Sequence, residues 1–245
     1  MPTEDARRPL DGVAGATMVA LTALWGLQQV AIKLAAPAVP LVLQAALRSA
    51  IATLLLIVWA RWQRIPLRGR DGTTRTGLLA GAAFALEFAL IYAGLGHTTA
   101  ARMIVLLYTA PCFTALGLSL FVPGERLARG QWAGILLAFA GIVVAFADGI
   151  GGGGATLIGD ACAVTAALLW AATTVLIRAT PLARISATKV LFYQLAVSAA
   201  LLPLASVALG EGGVSAWTPL AIASLAFQSI VVAFASYLAW FWLLT

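Results

Sequence analysis

Apolar residues run along this chain in eight long stretches separated by short polar breaks. The stretches span residues 13–36, 40–60, 76–97, 99–122, 130–148, 157–178, 185–209 and 219–244. Each is close to the ~20 residues that an α-helix needs to cross the hydrocarbon core of a bilayer. The runs are continuous and show no two-residue alternation, so they predict helices and exclude the strands of a membrane barrel. Prolines and glycines mark the ends. Pro37 and Pro40 punctuate the first break, Arg61–Arg75 forms a polar loop, and Pro123-Gly124 follows the fourth run. Asp148–Gly154 is rich in glycine, and Gly210–Gly213 predicts another turn. The first run follows Arg7 and Arg8 but is longer than a signal-peptide core of roughly 7–15 residues, so it is read as a retained span.

Composition agrees with this pattern. The 245 residues are 62% hydrophobic and 10% charged, against about 25% charged in soluble domains. A chain this apolar cannot cover a water-facing surface, whereas helices in lipid satisfy their backbone internally. The fold class expected is an all-α polytopic membrane protein. A net charge of +6 raises the question of nucleic acid, but most of the basic residues sit in short loops rather than on one folded face. With a cytoplasmic N-terminus, that side collects Arg7, Arg8, Arg61, Arg64, Arg68, Arg70, Arg75, Arg126, Arg129, Arg178, Arg184 and Lys189, 12 of the 15 basic residues. This bias follows the positive-inside rule and sets the expected orientation. Cys112 and Cys162 lie inside apolar runs, so no disulfide framework is expected and both read as small packing residues.

An internal repeat organises the runs. Trp25 and Trp170 stand 145 positions apart, and the same offset relates Leu24 to Leu169, Val30 to Val175, Ile32 to Ile177, Lys33 to Arg178 and Tyr92 to Tyr237. The repeating unit holds five spans. An odd number inverts the second copy in the membrane, the arrangement characteristic of secondary transporters. The expected organisation is a first unit over 1–148, a glycine-rich linker over 149–156, and three spans of a second unit over 157–245. That leaves eight of ten helices here, with two further spans expected beyond Thr245.

The chain resembles the drug/metabolite transporter superfamily, specifically proteins with paired EamA domains. The residues that carry the resemblance are Leu24-Trp25-Gly26, Arg48, the stretch Tyr92–Ala101, Pro111, Gly124-Glu125-Arg126-Leu127, Gln131, Gly134 and Gly141. The second half adds Leu169-Trp170-Ala171 and Phe192-Tyr193-Gln194. The resemblance implies a ten-span secondary transporter of the bacterial cytoplasmic membrane that exports small metabolites by alternating access. A narrower likeness is to bacterial exporters of amino acids, including aromatic ones and methionine.

Several residues are candidates for contact with a solute. Trp25, Gln28, Gln29 and Ile32 follow the i, i+3, i+4, i+7 spacing of one helix face, and Trp170, Thr173, Thr174 and Ile177 repeat it at the symmetric place. Both stripes join an aromatic wall to amide or hydroxyl groups, which suits a midplane cavity for an amphipathic solute. Phe84, Tyr108, Tyr193, Gln194 and Tyr237 join this set. Glu87 stands at the middle of the third run, where a carboxylate is costly and marks a functional site by default. Three roles are open for it: an ion pair with Arg48 or Arg102, a seat for a substrate ammonium, or the carrier of a coupling proton. The ion pair with Arg48 is the leading expectation. Arg48, with Gln44 four residues before it, is also a candidate for binding a carboxylate. Pro111 in the fourth run is expected to kink its helix and is a candidate gate. Trp59, Trp62, Trp132 and Trp217 fit an interfacial belt, Gly77 and Gly81 a close helix contact, and His97 an external loop.

The sequence has no catalytic motif, metal-ligand cluster or cofactor fingerprint, and Gly149–Gly154 lacks the Lys and Ser/Thr of a phosphate-binding loop. The expected partners are a small-molecule substrate and the bilayer, with no nucleic acid. The rival readings are efflux of a cationic drug with Glu87 as counter-ion, and a membrane assembly subunit that moves nothing.

Overall fold

A computed structural model describes residues 12–69, 71–125, 127–146 and 154–243. Arg7, Arg8, Arg70, Arg126, Asp148 and most of the glycine-rich linker lie outside them. Ten α-helices follow in order among the described residues: α1 (Gly12–Ala35), α2 (Leu41–Trp62), α3 (Thr74–Leu95), α4 (Ala100–Leu107), α5 (Ala110–Phe121), α6 (Arg129–Phe146), α7 (Gly154–Ala179), α8 (Ala187–Ala208), α9 (Pro219–Ala226) and α10 (Tyr237–Leu243). Among the described residues, seven segments are long and apolar enough to cross a membrane, with α4–α5 forming one and α9 to Trp240 another. The 18-residue α6 occupies the fifth expected run. The chain is therefore an all-helical, multi-pass membrane protein.

Two runs read as single helices are interrupted. Pro111 lies in the first turn of α5, and the chain breaks at Tyr108 and Thr109 rather than merely bending. The Thr109 hydroxyl donates to the Leu106 carbonyl at 2.7 Å, satisfying an acceptor at the broken end. In the last run, Phe227–Ser236 is a π-helical segment between α9 and α10. The Ser229 hydroxyl donates to Leu225 O and the Ser236 hydroxyl to Val232 O, both at 2.6 Å.

Helix starts are capped as their residues require. Thr99, Ser186 and Thr218 accept from the backbone N–H three residues on. α2 begins after Pro40, which has no side-chain cap. The Glu211 carboxylate fills that role from the α8–α9 loop, accepting from Val42 N and Leu43 N at 2.8 Å each. A carboxylate at a helix N-terminus also complements the helix dipole.

The interior joins large side chains such as Tyr92, Leu95 and Met103 to many alanines and glycines, while other large apolar side chains face outward. Leu54, Val58, Leu120, Leu137, Leu204 and Val207 are all more than 60% exposed, as lipid-facing side chains must be. Where helices meet most closely, glycines admit the neighbour. A Cβ on Gly77 would stand 2.5 Å from the Tyr193 ring, and one on Gly81 2.6 Å from the Tyr193 carbonyl. Gly94 receives Cys162, and Gly159 receives Thr98. Cys112 and Cys162 are both free.

Charges pair at the ends of the bundle. Lys189 meets Asp71 at 2.6 Å and Arg178 meets Glu125 at 3.3 Å at one end. At the other, Arg102 pairs with Asp160, and Lys33 donates to Leu95 O and Thr98 O. Hydrogen bonds from Lys189 and Thr73 hold the Asp71 carboxyl below the ordinary carboxylate range. A depressed carboxylate stabilises the fold fully above its unfolded pKa and loses that contribution as pH falls through the folded value. Asp71→Asn is therefore expected to lower the melting temperature near neutral pH, and the gap to wild type should close in strong acid. Melting curves of both proteins across pH check this.

Trp62, Trp132 and Trp217 are exposed, as a belt requires. Trp59 departs from that expectation by turning inward, 6.3 Å from the Phe234 ring. His97 is exposed in the turn after α3.

Candidate solute cavity

A cavity of about 150 Å³ lies between α1, α3, α4, α7, α8 and α10. It has room for on the order of ten water-sized groups, the scale of a small metabolite. Trp25, Gln28, Gln29, Phe84, Glu87, Tyr108, Trp170, Thr173, Gln194 and Tyr237 line it, together with Phe88, Ile91, Ile104, Leu107, Thr174, Ile177, Arg178 and Trp240.

The two symmetric stripes meet here. Trp25 packs edge-on against Trp170 at 5.7 Å, against Trp240 at 5.6 Å and against Tyr237 at 6.1 Å. Trp25 donates its indole N–H to Ser236 Oγ at 2.9 Å, which fixes the ring's orientation. Phe84 stacks on Phe88 at 4.6 Å and meets Tyr237 at 6.1 Å. The Tyr108 hydroxyl donates to Thr22 O at 2.6 Å, tying the broken helix to α1. Gln29 Oε1 and Thr173 Oγ1 are buried without a hydrogen-bond partner. A cavity with an aromatic shell and a few unspent polar atoms is suited to a solute with both characters.

Two expected members lie elsewhere. Tyr193 faces the groove made by Gly77, its hydroxyl 3.4 Å from Thr73 Oγ1. Small residues on α3 draw the ring away from the cavity. Arg48 is wholly buried behind the wall, with its guanidinium 3.9 Å from the Phe88 centroid. Ile32 also leaves the stripe and joins the core.

The expected ion pair of Glu87 is likewise corrected. Among the described residues no salt bridge joins Glu87 to Arg48 or Arg102, and Arg102 pairs with Asp160. Successive helix residues point about 100° apart. Phe88 takes the face towards Arg48, and Glu87 takes the face towards the cavity. Glu87 is 4% exposed, and that small opening is to the cavity.

Sequence reasoning missed a buried amide network beside this site. The Tyr92 hydroxyl donates to Gln228 Oε1 at 2.6 Å, while Gln228 Nε2 donates to Gln44 Oε1 at 3.0 Å and Ser224 Oγ at 2.9 Å. The signal was present, since Gln228 is a polar residue inside an apolar run. Phe88 and Trp240 were also missed, although they stand one and three residues from Glu87 and Tyr237.

The "Probable amino-acid metabolite efflux pump" of Escherichia coli strain K12 is 29% identical over 161 residues, covering 66% of this chain and 51% of that protein. Its namesake in Salmonella typhimurium strain LT2 is 29% identical over 151 residues, covering 60% and 48%. The chain thus spans about half the length of these curated relatives. A solved crystal structure superposes with a TM-score of 0.66 over 92% of this chain and 78% of that one, and at 24% identity this likeness shows the fold alone. The EamA-like transporter family matches residues 13–147, more than half of the 245 residues, and the chain belongs to that family.

Proposed function

We propose that this protein exports small amphipathic metabolites, amino acids foremost, across the bacterial cytoplasmic membrane by alternating access. The observation that carries the proposal is the cavity where Trp25 and Trp170 meet. The two residues hold equivalent places in two inverted units, 1–148 and 157–245, joined by the linker 149–156. A site shared by both units is reached from either face as they rock against each other. The aromatic rings cover an apolar side chain, and Glu87 faces an ammonium. The curated relatives' names point to the same class of solute. The cavity-lining carboxylate also favours a second reading, efflux of organic cations, for which Glu87 is the counter-ion.

Counterflow tests the proposal. Liposomes holding the full chain and loaded with an unlabelled amino acid should take up the labelled one faster than empty-loaded controls. A panel of amino acids and aromatic amines separates the two readings. A folded protein that exchanges nothing on the panel contradicts both.

The orientation proposed puts the N-terminus and the loop between α2 and α3 in the cytoplasm. In a background without native cysteines, an impermeant thiol reagent added outside cells should label Gly212→Cys and spare Arg68→Cys. The reverse pattern overturns the orientation.

A further inference from the structure

Arg48 is 0% exposed, yet its Nε and Nη1 have no hydrogen-bond partner. Nη2 makes one long contact, 3.4 Å to the Tyr237 hydroxyl. The Tyr92 hydroxyl is a further polar neighbour, and two rings flank the guanidinium, the Phe88 centroid at 3.9 Å and the Tyr237 centroid at 5.8 Å. A buried cation with two unspent donor groups is costly, and cation–π contact offsets only part of that cost. The tyrosine hydroxyls leave Nε and Nη1 without an acceptor. Glu87 is near enough for its charge to be felt at Arg48 but forms no salt bridge with it.

The cavity is one ring away. Phe88 and Tyr237 both line it and both touch Arg48 on their far side. Tyr237 follows directly on the π-helical segment Phe227–Ser236. π-helical turns inside α-helices concentrate at functional sites. Tightening this segment to α-type bonding rotates everything after it about the helix axis and carries the Tyr237 ring off the guanidinium.

We propose that Arg48 is a latent carboxylate site, covered by Tyr237 and opened when that ring turns away. Its fork then takes the carboxylate of a solute whose ammonium rests at Glu87, since a planar guanidinium matches a carboxylate with two parallel hydrogen bonds. This rests on the solute reading above and narrows it to zwitterions.

Binding of three matched solutes to the purified full chain tests it, read by quenching of the cavity tryptophans. The solutes are phenylalanine, phenethylamine without the carboxylate, and 3-phenylpropionate without the ammonium. Arg48→Gln should weaken phenylalanine and 3-phenylpropionate by about tenfold or more, the value of a lost charge-assisted hydrogen bond, and leave phenethylamine within about twofold. Tyr237→Phe keeps the ring but frees the guanidinium from its hydroxyl contact. It should tighten phenylalanine and 3-phenylpropionate severalfold without moving phenethylamine, and it decides the matter if Arg48→Gln does not fold. Equal effects on all three solutes, or none, overturn the subsite while leaving the cavity reading intact. Failure of all three to bind the wild-type chain removes the cavity reading and this subsite together.

Discussion

Glu87→Gln is expected to weaken binding of phenethylamine and phenylalanine by about tenfold or more while leaving the melting temperature in place. The first half follows from the proposed role: a carboxylate facing an ammonium in a water-poor cavity makes a charge-assisted hydrogen bond, of about 1.5–3 kcal/mol. The second half follows from the observed geometry. Breaking a buried ion pair by removing one partner costs about 3–5 kcal/mol, and Glu87→Gln would do so if the side chain were paired with Arg48. No salt bridge joins them. Arg48 keeps its stacking on Phe88 and its contact to Tyr237 whichever group stands at position 87. A large drop in melting temperature with unchanged affinity would return Glu87 to a structural role. Solute binding and thermal melting on the same preparation separate the two outcomes.

Gly159→Ala is expected to be strongly destabilising for so small a substitution. A Cβ there would lie 2.5 Å from Thr98 Cβ and 2.9 Å from the Thr98 backbone nitrogen. A backbone atom cannot rotate aside, so α7 must move away from the turn that follows α3. Overpacking of this kind costs about 1–3 kcal/mol. The displacement also loosens the Arg102–Asp160 pair, because Asp160 is the next residue. Gly134→Ala in α6 is the matched control, since nothing stands within 4 Å of a Cβ there. Relieving a helical glycine stabilises by roughly 0.5–1 kcal/mol, so the two identical substitutions should shift the melting temperature in opposite directions. Equal shifts would mean that α7 does not sit against Thr98 as described.

Much of this architecture was legible in the chain because the bilayer leaves few choices. An apolar run of about 20 residues must be a helix, and proline and glycine mark where it stops. Pro111 marks where the fourth run leaves a straight path, but it predicts a kink, whereas the helix breaks between α4 and α5. The π-helical turn did not announce itself: Phe227–Ser236 contains neither proline nor glycine, and its bonding pattern answers to the packing of Gln228, Ser236 and Tyr237 against other helices. The aromatic and amide stripes were visible through their helical spacing, and most of their members line the cavity. Arg48 and Glu87 could be placed at mid-membrane but not around their helices. One residue of rotation decides whether Glu87 or Phe88 meets Arg48, and hydropathy carries no information on it. Gly77 and Gly81 foretold a close contact without naming Tyr193 as the side chain that fills it.

On the proposed function, the cavity between Trp25 and Trp170 holds the transported solute. Thr173→Cys tests it most directly. Thr173 lines the cavity, is buried, and has no partner for its hydroxyl, so the thiol takes its place with little disturbance. With Cys112→Ala and Cys162→Ala in the background, a small thiol reagent should label Thr173→Cys, and a solute that supports counterflow should slow that labelling in a saturable way. Gly212→Cys, in the loop between α8 and α9, should be labelled at the same rate with and without solute. Full labelling of Thr173→Cys at saturating concentrations of an exchanging solute would place the solute elsewhere in the protein.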